Sequence, residues 1–196
     1  MIIAVVNLKG GAGKTTSAVY LAHALGATLV DGDPQASATE WAEVAAETGT
    51  PLGVPVVSLP TDKLAGRLPA AGRIIIDTPP GELAITKAAI AVADLILVPT
   101  AATALDVSRV WVTLDLVRAT HKPLAVLLNR VRATRSVAEV AATITQDGAA
   151  VLNTRIPLRE AIALRWGQPI GTDLHGYDDA ANELLALTPS DREIAT

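Results

Sequence analysis

Residues Ile2 to Thr16 constrain the fold more than any other part of the chain. A short apolar run, Ile2–Asn7, reads as a buried strand. It leads into Lys9-Gly10-Gly11-Ala12-Gly13-Lys14-Thr15-Thr16, and a stretch with helical spacing, Thr15–Leu25, follows. A glycine-rich loop between a strand and a helix, closed by lysine and a hydroxyl, is the context in which such a loop cradles phosphate. Glycines let successive backbone N–H groups turn inward around an anion. The helix N-terminus adds about half a positive charge at the same point. Lys14 is placed to neutralise β- and γ-phosphates, and the Thr15 hydroxyl to ligate a magnesium ion bridging them. The ordinary pattern fails at its first glycine, while Gly13-Lys14-Thr15 satisfies the rest.

The remaining chain alternates strand and helix. Strands are expected at Ala27–Asp31, Val54–Ser58, Arg73–Asp77, Leu95–Pro99, Leu124–Asn129 and Ala150–Ile156. Helices are expected at Ser37–Glu47 with Ser37 as N-cap, Leu83–Ala93, Leu105–Ala119, Ser136–Gln146, Arg159–Trp166 and Asp178–Leu187. Strands apolar on both faces, alternating with helices, imply an α/β fold: a mostly parallel central sheet with helices on both faces. No Gly/Ser linker divides the chain. One domain over 1–188 is expected, with 189–196 a disordered tail.

Composition narrows the chemistry. Half of the 196 residues are hydrophobic, enough for a substantial core. No run reaches the roughly 18 apolar residues of a membrane span, and no basic n-region opens the chain. A cytoplasmic protein is therefore expected. Cysteine is absent, which removes disulfides, thiol catalysis and thiolate metal sites. His23, His121 and His175 have no ligand spacing. Catalysis must rest on carboxylates, lysine, hydroxyls or backbone. The net charge of −4 hides a pattern: residues 129–172 carry +3 and residues 173–196 carry −5.

Carboxylates fall at predicted strand ends, where open α/β sheets collect ligands. Asp31 and Asp33 suit magnesium or water positioning. Ile74-Ile75-Ile76-Asp77 is an apolar strand closed by a carboxylate that can hold magnesium. Asn129 ends another strand, where its amide can read adenine.

Taken together, these motifs resemble the ParA/MinD superfamily, whose deviant Walker A loop carries a second lysine at its start, here Lys9. The resemblance covers almost the whole chain, including Asp31-Gly32-Asp33-Pro34-Gln35, the switch-like Thr78-Pro79-Pro80-Gly81, Leu105-Asp106-Val107 and the late Arg159…Trp166-Gly167-Gln168-Pro169-Ile170. In length it is similar to short ParF-like partition proteins. The resemblance implies a P-loop NTPase architecture that binds ATP and Mg2+. Gly10, Gly11, Ala12, Gly13, Lys14, Thr15 and Thr16 would hold the phosphates, with Asn129 and Pro157 at the base. Lys9 would reach across a homodimer to the partner's nucleotide, Lys14 would act on the phosphates and Asp33 would orient the attacking water. Thr15, Asp77 and Asp31 would serve the metal.

The function so implied is ATP-dependent partition: dimerisation on ATP, nucleoid association through non-specific DNA binding, and slow hydrolysis until a centromere-binding adaptor stimulates it. Arg159 matches a family arginine linked to DNA binding, and Arg165 and Arg155 are further candidates. Two alternatives share these residues: an ATP-gated switch that positions a protein cargo on the nucleoid, and a biosynthetic ligase of dethiobiotin-synthetase or cobyrinate-amidase type. A MinD-like membrane switch needs a basic amphipathic C-terminal helix. The acidic tail, with Arg192 alone basic after Asp178, argues against membrane binding.

Overall fold

A computed structural model describes residues 1–132 and 135–188. The expected tail, 189–196, lies outside the described residues. Seven strands run β1 (Ile2–Val5), β2 (Thr28–Asp31), β3 (Val56–Ser58), β4 (Ile74–Asp77), β5 (Leu95–Ala101), β6 (Leu124–Val131) and β7 (Ala150–Pro157). The helices are α1 (Lys14–Leu25), α2 (Ser37–Glu47), α3 (Leu83–Val92), α4 (Ala104–Arg118), α5 (Arg135–Gln146), α6 (Glu160–Ala163) and α7 (Tyr177–Leu187). The strands form one sheet in the order β3-β2-β4-β1-β5-β6-β7, and every pair is parallel. The α/β expectation is met, with a sheet that is parallel throughout.

Alternation along the strands divides the core into two layers. Ile3, Val5, Ile75, Leu95, Leu97, Ala125 and Leu127 face α1, α2 and α7. Ala4, Val6, Ile74, Ile76, Ile96, Val98, Val126 and Leu128 face α3, α4 and α5. Successive strand side chains point to opposite faces, so continuous apolar runs are needed only where both faces are covered. Each fully buried Ile or Leu contributes about 1.5–3 kcal/mol relative to exposure.

Several local expectations change. Pro99 does not end β5; the strand continues, pairing Pro99 with Leu127 and Ala101 with Asn129. Leu97 O accepts from Val6 N, so the backbone groups of residues 97 and 99 face β1. The N–H that proline lacks thus points away from β6, whose ladder continues, and the Pro99 carbonyl on the β1 side accepts from the Asn7 amide. Ser37 is the first residue of α2, not its cap: Ala36 holds the cap position at φ +54° without a side-chain bond. On α4 the buried stripe is Val107, Val110, Leu114 and Val117, and Leu105 is exposed. The helix expected at Arg159–Trp166 is only one turn long.

Edge strand β7 carries a bulge: two steps on β6, Val126 to Leu128, span Val151 to Arg155. The N–H groups of Asn153 and Thr154 donate instead to Glu183 of α7, at 2.6 and 2.7 Å. Burial alone would raise the Glu183 acid, but the Thr154 hydroxyl, these two N–H groups and the Arg155 charge together hold it low. The Arg155 guanidinium donates to the bulge carbonyls of Leu152 and Thr154.

Candidate functional site

Because all strands are parallel, the C-terminal ends of β1, β2, β4, β5, β6 and β7 converge on one rim. The connection from β4 through α3 to β5 passes over β1, which places the loop after β1 at the switch point where ligands bind in such sheets. Asn7 anchors this loop. Its side chain donates to Pro99 O at 2.9 Å and accepts from Lys9 N at 2.8 Å. Gly11 and Gly13 have φ of +73° and +83°, conformations that a side chain strains. Gly10 is exposed at the loop crest, opposite Pro80.

Gly11, Ala12, Gly13, Lys14, Thr15, Thr16, Asp33 and Pro80 enclose a pocket of about 280 Å³. Lys14 is buried and donates to Lys9 O at 3.2 Å. Desolvation lowers its pKa, while the charges of Asp77 and Asp33 work the other way. Asp33 is also buried, and one of its oxygens accepts from Gln35 N at 2.8 Å.

Asp77 is fully buried, and neither oxygen has a hydrogen bond of normal geometry. Desolvation pushes its pKa up to about 7; the neighbouring Thr15 hydroxyl and Lys14 favour the ionised form, and Asp31 and Asp33 oppose it. An orphaned buried carboxylate beside a threonine hydroxyl and a lysine fits a hard divalent cation with oxygen ligands. Asp31 is different. Its Oδ1 accepts from Asp33 N at 3.2 Å, and its Oδ2 accepts from Thr39 N at 2.8 Å and Thr39 Oγ1 at 2.7 Å. It therefore ties the start of α2 to the rim, and of the two carboxylates among the metal candidates it is the one whose oxygens are both already hydrogen-bonded. Thr78 Oγ1 donates to Val5 O, fixing the next segment against β1.

A second pocket, of about 300 Å³, opens on the other side of the loop, between Gly13, Thr16, Asn129, Pro157, Leu158 and Ile162. Asn129 and Pro157 thus line one pocket. The Asn129 amide also donates to Ala12 O at 3.3 Å and to Ser17 Oγ at 3.4 Å.

Lys9 forms an ion pair with Asp106 on α4. Asp106 in turn accepts from the Thr103 hydroxyl at 2.5 Å, and Thr103 Oγ1 accepts from Asp106 N at 3.2 Å, the N-cap bond of α4. The Thr103-x-x-Asp106 spacing was a signal for this contact that sequence reasoning passed over. Arg130, at φ +54°, donates to Gly11 O at 3.2 Å. It was missed too, and its place beside Asn129 was the available hint.

The three candidate DNA arginines part company. Arg159 is exposed at the start of α6. Arg155 is engaged in the β7 bulge. Arg165 is half-buried, with its guanidinium charge beside the Tyr20 hydroxyl and close to Gly171. Of the three, Arg159 alone is exposed. Among the described residues, no helix is long and apolar enough to cross a membrane.

Residues 3–169 match the family described as the CobQ/CobB/MinD/ParA nucleotide binding domain. The chain is similar to a maintenance of carboxysome distribution protein A from Gloeobacter kilaueensis, 40% identical over 116 residues. That match covers 55% of the chain and 52%, about half, of the relative. A protein of the same description from Halothiobacillus neapolitanus is 28% identical over 172 residues, covering 80% of the chain and 79% of the relative. Among solved structures, a Cyanothece McdA–ATP complex superposes with a TM-score of 0.75 at 18% identity, over 96% of this chain and 97% of that one. A plasmid partition protein from Borrelia burgdorferi gives 0.73 at 21%, over 94% and 97%. At these identities the two structures speak to the fold alone.

Proposed function

Since this chain belongs to the CobQ/CobB/MinD/ParA nucleotide-binding family, we propose that it is an ATPase of ParA/MinD type that acts as a nucleotide-gated switch positioning a protein assembly. The observation that carries the ATPase reading is Asp77, buried and unpartnered beside Thr15 and Lys14 in a glycine-rich loop. The cargo reading is supported by the two sequence relatives named for carboxysome distribution. It replaces plasmid partition as the main reading, because partition is represented here by a fold likeness only.

ATP would place its phosphates in the pocket of Gly11 to Thr16 and its base between Asn129 and Pro157. Thr15 and Asp77 would hold magnesium, which when bound neutralises the β- and γ-phosphate oxygens. Lys14 would balance the same charge, and Asp33, facing the pocket, would orient water. No strong general base is present in this pocket, so hydrolysis rests on positioning and electrostatics and is slow unaided. Lys9 is held within its own protomer by Asp106. To serve a partner's nucleotide in an ATP-dependent dimer it must leave that carboxylate. Arg159 is an exposed cation for non-specific contact with nucleoid DNA in the cytoplasm. Release would follow from stimulation by an adaptor on the cargo.

The test is a mobility shift on unrelated duplex DNA with no nucleotide, ADP or ATP, at low and moderate salt, with Lys14→Ala alongside. Retardation only with ATP, weakened by salt and lost in the variant, is the expected result. ATP turnover without DNA binding in any state would sink the DNA-based switch. In the host, loss of the chain should disperse or clump the cargo and leave plasmid retention unchanged; plasmid loss would restore the partition reading.

A further inference from the structure

Four carbonyl oxygens of the phosphate loop accept hydrogen bonds, two of them from β6. Lys14 Nζ donates to Lys9 O at 3.2 Å, Arg130 Nη1 to Gly11 O at 3.2 Å, Asn129 Nδ2 to Ala12 O at 3.3 Å and Ser17 N to Gly13 O at 2.9 Å. In a trans peptide the C=O and the following N–H point in opposite directions. Holding the Ala12 carbonyl outward therefore turns the Gly13 N–H inward. Holding the Gly11 carbonyl does the same for Ala12 N–H. A nest of N–H groups needs this arrangement before an anion arrives.

Asn129 is the buried side chain among these braces that belongs to another element, 3% exposed at the end of β6. Its amide also reaches Ser17 Oγ, which lies 3.1 Å from the buried Tyr177 hydroxyl at the start of α7. A Cβ at residue 13 would stand 2.2 Å from Asn129 Nδ2, so Gly13 and Asn129 form one fitted pair. Arg130, by contrast, is exposed, and its bond competes with water.

Resting on the nucleotide reading above, we propose that Asn129 is a positioning residue for the phosphate loop. Its amide orients the Ala12–Gly13 peptide from behind, and so sets affinity for the polyphosphate whatever base is attached. A residue that only read adenine would affect ATP alone.

The test measures binding of ATP, UTP and inorganic tripolyphosphate, each with magnesium, to wild type, Asn129→Ala and Ser17→Ala by calorimetry. The melting temperature without ligand is followed separately. Asn129→Ala is expected to weaken every ligand that wild type binds by a similar factor, about tenfold for one buried hydrogen-bonding group. A loss confined to ATP overturns the proposal and leaves Asn129 a base reader only. Ser17→Ala removes one of the two acceptors of the amide and does not line the base pocket. It is expected to lose about two- to threefold across the same ligands, and it decides the matter if Asn129→Ala does not fold; unchanged affinities then overturn the proposal. Wild type that binds none of the three overturns the nucleotide reading itself, an outcome visible before either variant is measured.

Discussion

The ends of β2 and β4 lie side by side, Asp31 in register with Asp77, and both carboxylates are fully buried. Their surroundings are opposite. Asp31 accepts three hydrogen bonds and fastens α2 to the sheet. Asp77 accepts none of normal geometry and faces Thr15 and Lys14. A buried carboxylate that is satisfied by the protein contributes to stability; one left unsatisfied costs stability and awaits a ligand. Gly32 permits the close approach of the two strand ends, since a Cβ there would lie 2.8 Å from Asp77 O.

The contrast is broken most visibly at Asp77. Asp77→Asn is expected to lower magnesium-dependent ATP turnover at least about a hundredfold. Without metal or nucleotide the same variant should unfold at a higher denaturant concentration than wild type, because a buried unpaired charge is gone. Loss of both turnover and stability would mean that Asp77 is a structural residue after all.

Asp31→Ala should do the reverse. It leaves the Thr39 N–H and hydroxyl without their acceptor, and denaturant unfolding should show a loss of about 3 kcal/mol. A variant as stable as wild type would remove the anchoring role.

The raised pKa of Asp77 makes a pH prediction for the metal-free protein. The folded acid titrates at about 7, the unfolded one near 3.8. Between those values the folded chain keeps a proton that the unfolded chain has lost, so this group's contribution makes stability fall as pH rises. The fall is complete above about pH 7. Subtracting the stability–pH curve of Asp77→Asn from that of wild type isolates it, and a flat difference would count against the burial argument.

The smallest effect is expected at Thr39. Thr39→Val removes the hydroxyl bond to Asp31 and keeps the backbone one, for a loss of about 1 kcal/mol and unchanged turnover. A change in turnover instead would place Asp31 inside the reacting centre.

Much of this could be read from the chain. The glycine loop, Lys14 and Thr15 are contiguous, and the loop follows from local backbone requirements. Ile74-Ile75-Ile76-Asp77 was legible because a doubly covered strand is a continuous apolar run. The contacts of Asp31, Arg155 and Arg165 were not, since each depends on a distant partner: Thr39 across the rim, Glu183 and the β7 bulge, and Tyr20 on α1. Pro99 misled for a similar reason, because its missing N–H breaks pairing only on the β1 side and leaves the ladder to β6 intact.

Order along the chain thus dictated a parallel sheet with a phosphate loop on its central strand, through hydrophobic periodicity and glycine's freedom at positive φ. Which carboxylate is satisfied and which is left open was decided by tertiary contacts alone. Two aspartates at the ends of neighbouring strands look alike in one dimension. They diverge because only Asp31 meets hydrogen-bond donors at bonding distance, from Thr39 and Asp33, and such distances are not encoded by sequence spacing.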